Sequence, residues 1–354
     1  MDKETLSNYG WIVICVLVLA VMLALASPFG SFVAVGVKST TQGLFDTNQK
    51  ALNTTGLVNI DDQSFDDGTI PLGGVYTKKD GTVLSGNSND SFPATPTTGD
   101  TYEYGDYIYK YNNYYSYTDC WYSWGGQNGW GVRVKDTTKS SYGEIISKIA
   151  GKPVNTMTGT FYKCTSLTTA PEIPDSVTNM SETFYYCKSL TTAPEIPSGV
   201  TNMGATFSGC TNLTTTPTIP NSVTIMYQTF ENCTNLITAP TIPNGIVSIN
   251  YTFLNCRSLI TAPIIPDSVT DMYQTFRGCS SLTTAPTIPN SITNMNSTFE
   301  DCTSLTGTIT INANPKYNYR CFSGTKNPIT LTGTSTKLSN IASSYSNVTV
   351  ATTP

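Results

Sequence analysis

The chain has 354 residues, 12% of them charged, with a net charge of −5 and no histidine. Without imidazole there are no Ser-His or Cys-His nucleophile pairs, no His-ligated zinc or iron site and no ordinary physiological-pH switch. With no basic cluster, nucleic acid is not an expected partner, and no catalytic residue, metal ligand set or cofactor site is expected either.

Residues 1–37 carry an uncharged apolar run from Tyr9 to Ala26, long enough to span a bilayer as a helix. A retained membrane anchor is the first expectation. A cleaved signal peptide would suit Ala24-Leu25-Ala26, but Lys3 is offset by Asp2 and Glu4. A filament-core helix packing against copies of itself is the third reading, although Cys15 stands where the pilin plan would place a glutamate. Residues 38–70 read as a polar stalk, and Asp61, Asp62, Asp66 and Asp67 lack the alternating spacing of a calcium loop.

Residues 71–138 form an aromatic-rich segment with a linker, expected to be a small antiparallel β module. Lys78-Lys79-Asp80-Gly81-Thr82 signals a tight hairpin. Tyr107, Tyr109 and Tyr111 alternate along one strand face, and Trp121, Trp124 and Trp130 surround Gly125, Gly126 and Gly129. These aromatics serve either as a core or as a platform for sugar rings, with Trp121 and Trp124 as candidate partner-binding residues; sequence alone leaves both open. Residues 139–153 are expected to form a capping helix, with Tyr142, Ile145, Ile146 and Ile149 on one face and Gly151 as its stop.

Residues 154–307 repeat one sentence. Cys164, Cys187, Cys210, Cys233, Cys256, Cys279 and Cys302 are each 23 positions apart, and a fixed period of this size signals a solenoid whose stacked units share one core. The expected core letters include Phe184, Cys187, Leu190, Phe207, Cys210, Phe230, Cys233, Phe276 and Cys279. Met180, Phe184 and Cys187 fall at i, i+4 and i+7, predicting a helix of about two turns capped by Thr178 or Asn179. Leu190–Ala193 is expected as a short strand ended by Pro194 and Pro197, with a second strand at Val200–Met203. Neighbouring coils would then pair as parallel strands about 4.8 Å apart. The abundant threonine suits exposed strand faces. No C-x-x-C occurs, and side chains pointing the same way in a ladder disfavour disulfides, so the repeat cysteines are expected as free, buried thiols. Residues 308–354 lose the repeat letters and read as a C-terminal β cap.

The string SVTNMSETFYYCKSLTTAPEIP, residues 176–197, resembles the 23-residue leucine-rich repeats of BspA-like bacterial surface proteins, whose unit carries Phe, Cys three later and Leu three after that. The Ala-Pro-x-Ile-Pro corner departs from the family's commoner form. The resemblance implies a surface-exposed, non-catalytic binding or adhesion protein and supplies no ligand residues.

The expected fold is therefore α+β: a leucine-rich-repeat solenoid of about seven 23-residue coils, preceded by a hydrophobic helix and a small β module. The expected role is a non-enzymatic binding or adhesion protein at the cell surface, held by its N-terminal helix, with an unknown protein or glycan ligand. The alternative is a subunit of an extracellular pilus-like or phage filament that self-associates through that helix. Specificity must lie where the units differ, which points to the helical side and to Tyr185, Tyr186, Tyr227 and Tyr273. The strand side repeats Thr-Thr with little change.

Overall fold

The computed structural model describes residues 74–84, 93, 95–112 and 126–351. The N-terminal helix of 1–37, the stalk of 38–70, and Trp121 and Trp124 lie outside the described residues. Among those described, no helix is long and apolar enough to cross a membrane.

The repeats wind into a solenoid whose centre is a column of phenylalanine rings. From Phe161 to Phe322 successive rings lie 5.2–5.8 Å apart and within 6° of parallel. Each ring is fully buried or nearly so, and so are Met180, Cys187, Leu190 and Val200 and their counterparts in neighbouring coils. The column is longer than the cysteine register indicates. Phe322 adds a coil in which Thr325 stands where the cysteine would be, making eight coils.

The two-turn helix expected at Met180, Phe184 and Cys187 does not form. In its place runs a chain of tight turns, in which the amides of Thr183, Tyr185 and Cys187 bond the carbonyls three residues back. The intervening amides of Met180, Glu182, Phe184 and Tyr186 donate instead to Asn202, Gly204, Thr206 and Ser208 of the next coil. A helix would satisfy its amides internally and is about 10 Å across, roughly twice the rise that stacked chain segments allow. Alternating the amides between local and intercoil acceptors requires a left-handed residue twice per coil. Glu182 (φ 55°) and Tyr186 (φ 58°) are one such pair, repeated from Gly159 and Lys163 to Arg320 and Gly324.

On the opposite side, prolines shorten the expected strands to single bridges. Thr238, Thr261 and Thr284 pair in parallel, as do Asn179, Asn202 and Ile225. Threonine is not confined to exposed faces. Thr183, Thr206, Thr229, Thr252, Thr275 and Thr298 are fully buried. The Thr183 hydroxyl is shared between the carbonyls of Met157 (2.9 Å) and Met180 (2.7 Å), linking two coils. The threonines of the following coils likewise donate to the Met226, Ile249 or Met272 carbonyl of the coil before.

The N-terminal end is covered by a sheet built from β1 (Val75–Thr77), β2 (Val83–Leu84), β3 (Thr101–Tyr104), β4 (Tyr107–Asn112), β5 (Gly126–Gln127), β6 (Gly129–Val134), β7 (Lys148–Ile149) and β8 (Lys152–Thr156). Its order is β2-β1-β3-β4-β6-β8-β7, with β5 beside β4. The sheet is mixed rather than antiparallel, because β6 pairs with β8 and β4 with β5 in parallel. Thr156 of β8 bridges Asn179, so the sheet runs directly into the coils. Tyr76, Tyr102, Tyr107, Tyr109 and Trp130 are buried, and their polar tips find partners: Tyr107 donates to the Gly143 carbonyl (2.6 Å) and Trp130 Nε1 to the Ile149 carbonyl (2.9 Å). These aromatics are core, not platform.

The capping helix expected at 139–153 is also absent. An extended segment leads into the β7–β8 hairpin, whose two-residue loop is Ala150 (φ 48°) and Gly151 (φ 70°). Positive φ at both positions is what a type I′ turn requires, so Gly151 turns a hairpin instead of stopping a helix. Tertiary bonding overrides the local pattern: the Tyr109 hydroxyl accepts from the Ile146 amide (3.1 Å), and β8 is held beside β6.

At the other end β9 (Gly307–Thr310), β10 (Ile329–Thr332) and β11 (Val348–Val350) pair in parallel in the order β11-β10-β9. The short helix α1 (Leu338–Ala342) precedes β11 and buries Leu338 and Ile341. Tyr142 and Tyr345 close the two ends of the phenylalanine column, at 5.2 Å from Phe161 and 5.9 Å from Phe322.

Truncating a ring in mid-column leaves a cavity that neighbours locked by intercoil bonds cannot fill. Phe230→Ala should therefore cost about 3–5 kcal/mol in a denaturant titration; a loss below about 1 kcal/mol would mean that the column does not carry the core.

Candidate functional site

The repeat thiols are built into the backbone ladder. Cys187, Cys210, Cys233, Cys256, Cys279 and Cys302 each donate to the carbonyl of a phenylalanine in the preceding coil at 3.0–3.1 Å. Burial raises the pKa of Cys210, Cys256 and Cys302 well above the ordinary thiol value, and burial pushes Cys321 up to about 12. A thiol held protonated in an apolar core is a poor nucleophile and a poor metal ligand. Among the described residues no group of three or more Cys, Asp or Glu could hold a metal ion.

The surface that varies is the turn side. The position after each phenylalanine reads Tyr162, Tyr185, Ser208, Glu231, Leu254, Arg277 and Glu300 in the first seven coils; Tyr162 is exposed, Tyr185, Glu231, Leu254 and Arg277 are half-buried, and Ser208 and Glu300 are buried. Tyr185 and Tyr186 are brought together with Tyr162. The rings of Tyr162 and Tyr185 stack 4.9 Å apart and 6° from parallel, and Tyr186 lies 4.7 Å from Tyr185. Tyr186 is seated on Gly209, where an added Cβ would fall 2.7 Å from its ring. Tyr227, 42% exposed, lies in the same way across Gly204. Tyr273 belongs to a separate pair, edge-on to Tyr251 at 5.1 Å. The four candidate tyrosines therefore form a band along the coils, not one pocket; at about 4.8 Å per coil, Tyr185 and Tyr273 are roughly 20 Å apart. Trp121 and Trp124 lie outside the described residues.

Polar groups punctuate the band. Burial raises the Glu231 carboxyl above its ordinary pKa, opposed by hydrogen bonds from Gln228 Nε2 (2.8 Å), Ser208 and Asn232. Glu182 is raised by burial and lowered by the charge of Arg133. Near the C-terminal end the buried Glu300 carboxylate is clasped by Arg277 (3.4 Å) and Arg320 from the coils on either side. Asn255 Nδ2 donates to Asn232 Oδ1 at 2.9 Å, a rung between adjacent coils. None of these cross-coil pairings shows in a single unit; they appear only when the sequence is written in columns of 23.

The strand side is less uniform than Thr-Thr repetition suggests. Its threonine column gives way to Ile237 and Ile260 in adjacent coils, both about half exposed, and Ile264 is 87% exposed.

A family model described as the BspA type leucine rich repeat region matches residues 153–260 and 229–349, in six copies. Among solved structures, a leucine-rich-repeat protein of T. pallidum is similar at 23% identity, covering 52% of this chain and 78% of its own, with a TM-score of 0.36. A leucine-rich-repeat protein of Bacteroides ovatus is 22% identical over 62% of this chain and 72% of its own, with a TM-score of 0.38. A leucine-rich cell surface protein of Faecalibacterium prausnitzii is 17% identical over 73% and 99%, with a TM-score of 0.21. No curated protein matches the chain.

Buried thiols of raised pKa should resist a thiol reagent. Almost none of the seven repeat cysteines should label in native protein and all should label in denaturant; coil-to-coil disulfides found by mass spectrometry without reduction would contradict this.

Proposed function

The chain belongs to the BspA-type leucine-rich-repeat family, and from that premise we propose that it is a non-enzymatic, surface-displayed binding or adhesion protein whose turn face recognises its partner. The carrying observation is a division between columns. Inward positions hold the same residue types in coil after coil, whereas the exposed and half-buried turn positions range over Tyr, Glu, Leu and Arg. Packing constrains the first set and leaves the second free for a partner to select. Tyrosine and arginine are enriched at binding hot spots because they bring large contact area together with a polar tip. The missing imidazole and the protonated thiols support binding over catalysis.

Cell-surface placement rests on the apolar run Tyr9–Ala26, here assigned as a membrane anchor. Full-length protein should stay dispersed in detergent micelles, and long particles under negative stain would instead make it a filament subunit. For the turn face, cells or immobilised glycans and proteins that capture the chain should lose it on Tyr227→Ser and Tyr273→Ser, with the melting transition unchanged. Thr191→Ser and Thr284→Ser should alter neither property. The opposite pattern would move recognition to the strand side around Ile237 and Ile260.

A further inference from the structure

The left-handed column that follows each phenylalanine by two positions is subject to a steric rule, and two coils break it. From the third coil onward the column reads Gly209, Asn232, Asn255, Gly278, Asp301 and Gly324, the residue types that tolerate positive φ. The first two coils place Lys163 (φ 59°) and Tyr186 (φ 58°) there. A bulky side chain in this conformation costs more than Gly, Asn or Asp would. The companion left-handed column carries Glu182, Gln228, Tyr251, Gln274 and Arg320, so what distinguishes the first two coils is confined to the column after the phenylalanine.

Both strained residues belong to one cluster. Tyr162, Tyr185 and Tyr186 form a continuous aromatic surface, with Tyr162 37% exposed. The Lys163 ammonium lies 5.1 Å from the Tyr162 ring centre, and that of Lys188 lies 5.8 Å from the Tyr186 ring centre. Both lysines are exposed. Neither forms an ion pair among the described residues. They are also the only cations between Phe161 and Cys256. In a chain this sparsely charged, both cations of four coils stand beside the same three rings.

We propose that the patch of Tyr162, Tyr185, Tyr186, Lys163 and Lys188 binds an acidic glycan, a polymer of pyranose rings bearing carboxylates. The proposal rests on the turn face being the recognition face and names its ligand class. A pyranose offers an apolar C–H face to an aromatic ring and hydroxyls to the phenol oxygens, while its carboxylate meets an ammonium that has no ion-pair partner among the described residues. An acidic peptide would share the charge but not the ring faces. It could not add as a strand either, because the turn amides are spent on neighbouring coils: Lys163 donates to Tyr185 and Tyr186 to Ser208.

The test uses full-length protein in detergent, titrated calorimetrically with oligogalacturonate, an uncharged galactan oligosaccharide and poly-glutamate. Oligogalacturonate should bind, more weakly at high salt as Lys-carboxylate attraction is screened, and the other two should not. Lys163→Gln with Lys188→Gln, and separately Tyr185→Ser, should each weaken binding by about tenfold or more. Lys163→Asn and Tyr186→Asn relieve the strained backbone, so they should lose binding while the melting transition stays or rises by about 2 °C. Equal binding of the galactan, or of poly-glutamate, would overturn the proposal, as would no binding of any probe or a lower melting transition in both Asn variants with binding kept. Oligogalacturonate binding lost in Tyr273→Ser but kept in the lysine variants would sink this patch and leave the turn face standing. Binding insensitive to both sets would remove the turn face as well.

Discussion

Each coil must rise by the same small step on every side, because its amides and carbonyls are bonded to the coils above and below. On the turn side this is met by alternation: one amide closes a local turn, and the next crosses to the following coil. Helical structure is thereby excluded, and left-handed residues are required twice per coil. The same constraint brings identical side chains into register. Phenylalanine meets phenylalanine at 5.2–5.8 Å, and each thiol from Cys187 to Cys302 meets a carbonyl of the coil before it. The cysteine is conspicuous in sequence, yet its role is that of a small buried donor to a carbonyl whose lone pair an apolar side chain would leave unused.

A solenoid held this way has two open ends, and the chain spends many of its aromatics on one of them. The N-terminal sheet does not sit apart as a module: Thr156 carries its β8 strand into the first coil, and Tyr107 and Tyr142 pack on Phe161. At the far end Tyr345 caps Phe322 edge-on, and three parallel strands continue the coil-to-coil pairing. The Arg277–Glu300–Arg320 clasp ties three successive coils just before that cap. Its carboxylate is buried, so removing one arginine would leave charge poorly compensated where the repeats give way to the cap.

Core and surface therefore answer to different demands. Inside, repetition is compulsory, since a substitution in one coil disturbs both neighbours. Outside, only the backbone conformation is dictated, and side chains are free wherever φ is negative. The left-handed positions lie between these limits, where Gly, Asn and Asp meet the backbone requirement at least cost. In the column that follows the phenylalanines, Tyr186 and Lys163 stand against that economy, beside the stacked rings of Tyr162 and Tyr185.

The period, the number of residues per coil and the inward letters were all legible in the sequence, because stacking identical units forces identical spacing and Cys164 to Cys302 display it openly. The turn structure was not. Met180, Phe184 and Cys187 have the spacing of a helix face, and nothing local reveals that alternate amides will bond to another coil. Gly151 was likewise ambiguous, since the same residue ends a helix or completes a type I′ turn, and only the pairing of β8 with β6 decides between them. The intercoil bonds of the buried threonines and the clasp of Glu300 join residues 20 to 26 apart. What the sequence by itself determined was the repeat and which side chains it turns inward; what only the tertiary structure decided was how the backbone between them bonds, because those acceptors are supplied by neighbouring coils and not by neighbouring residues.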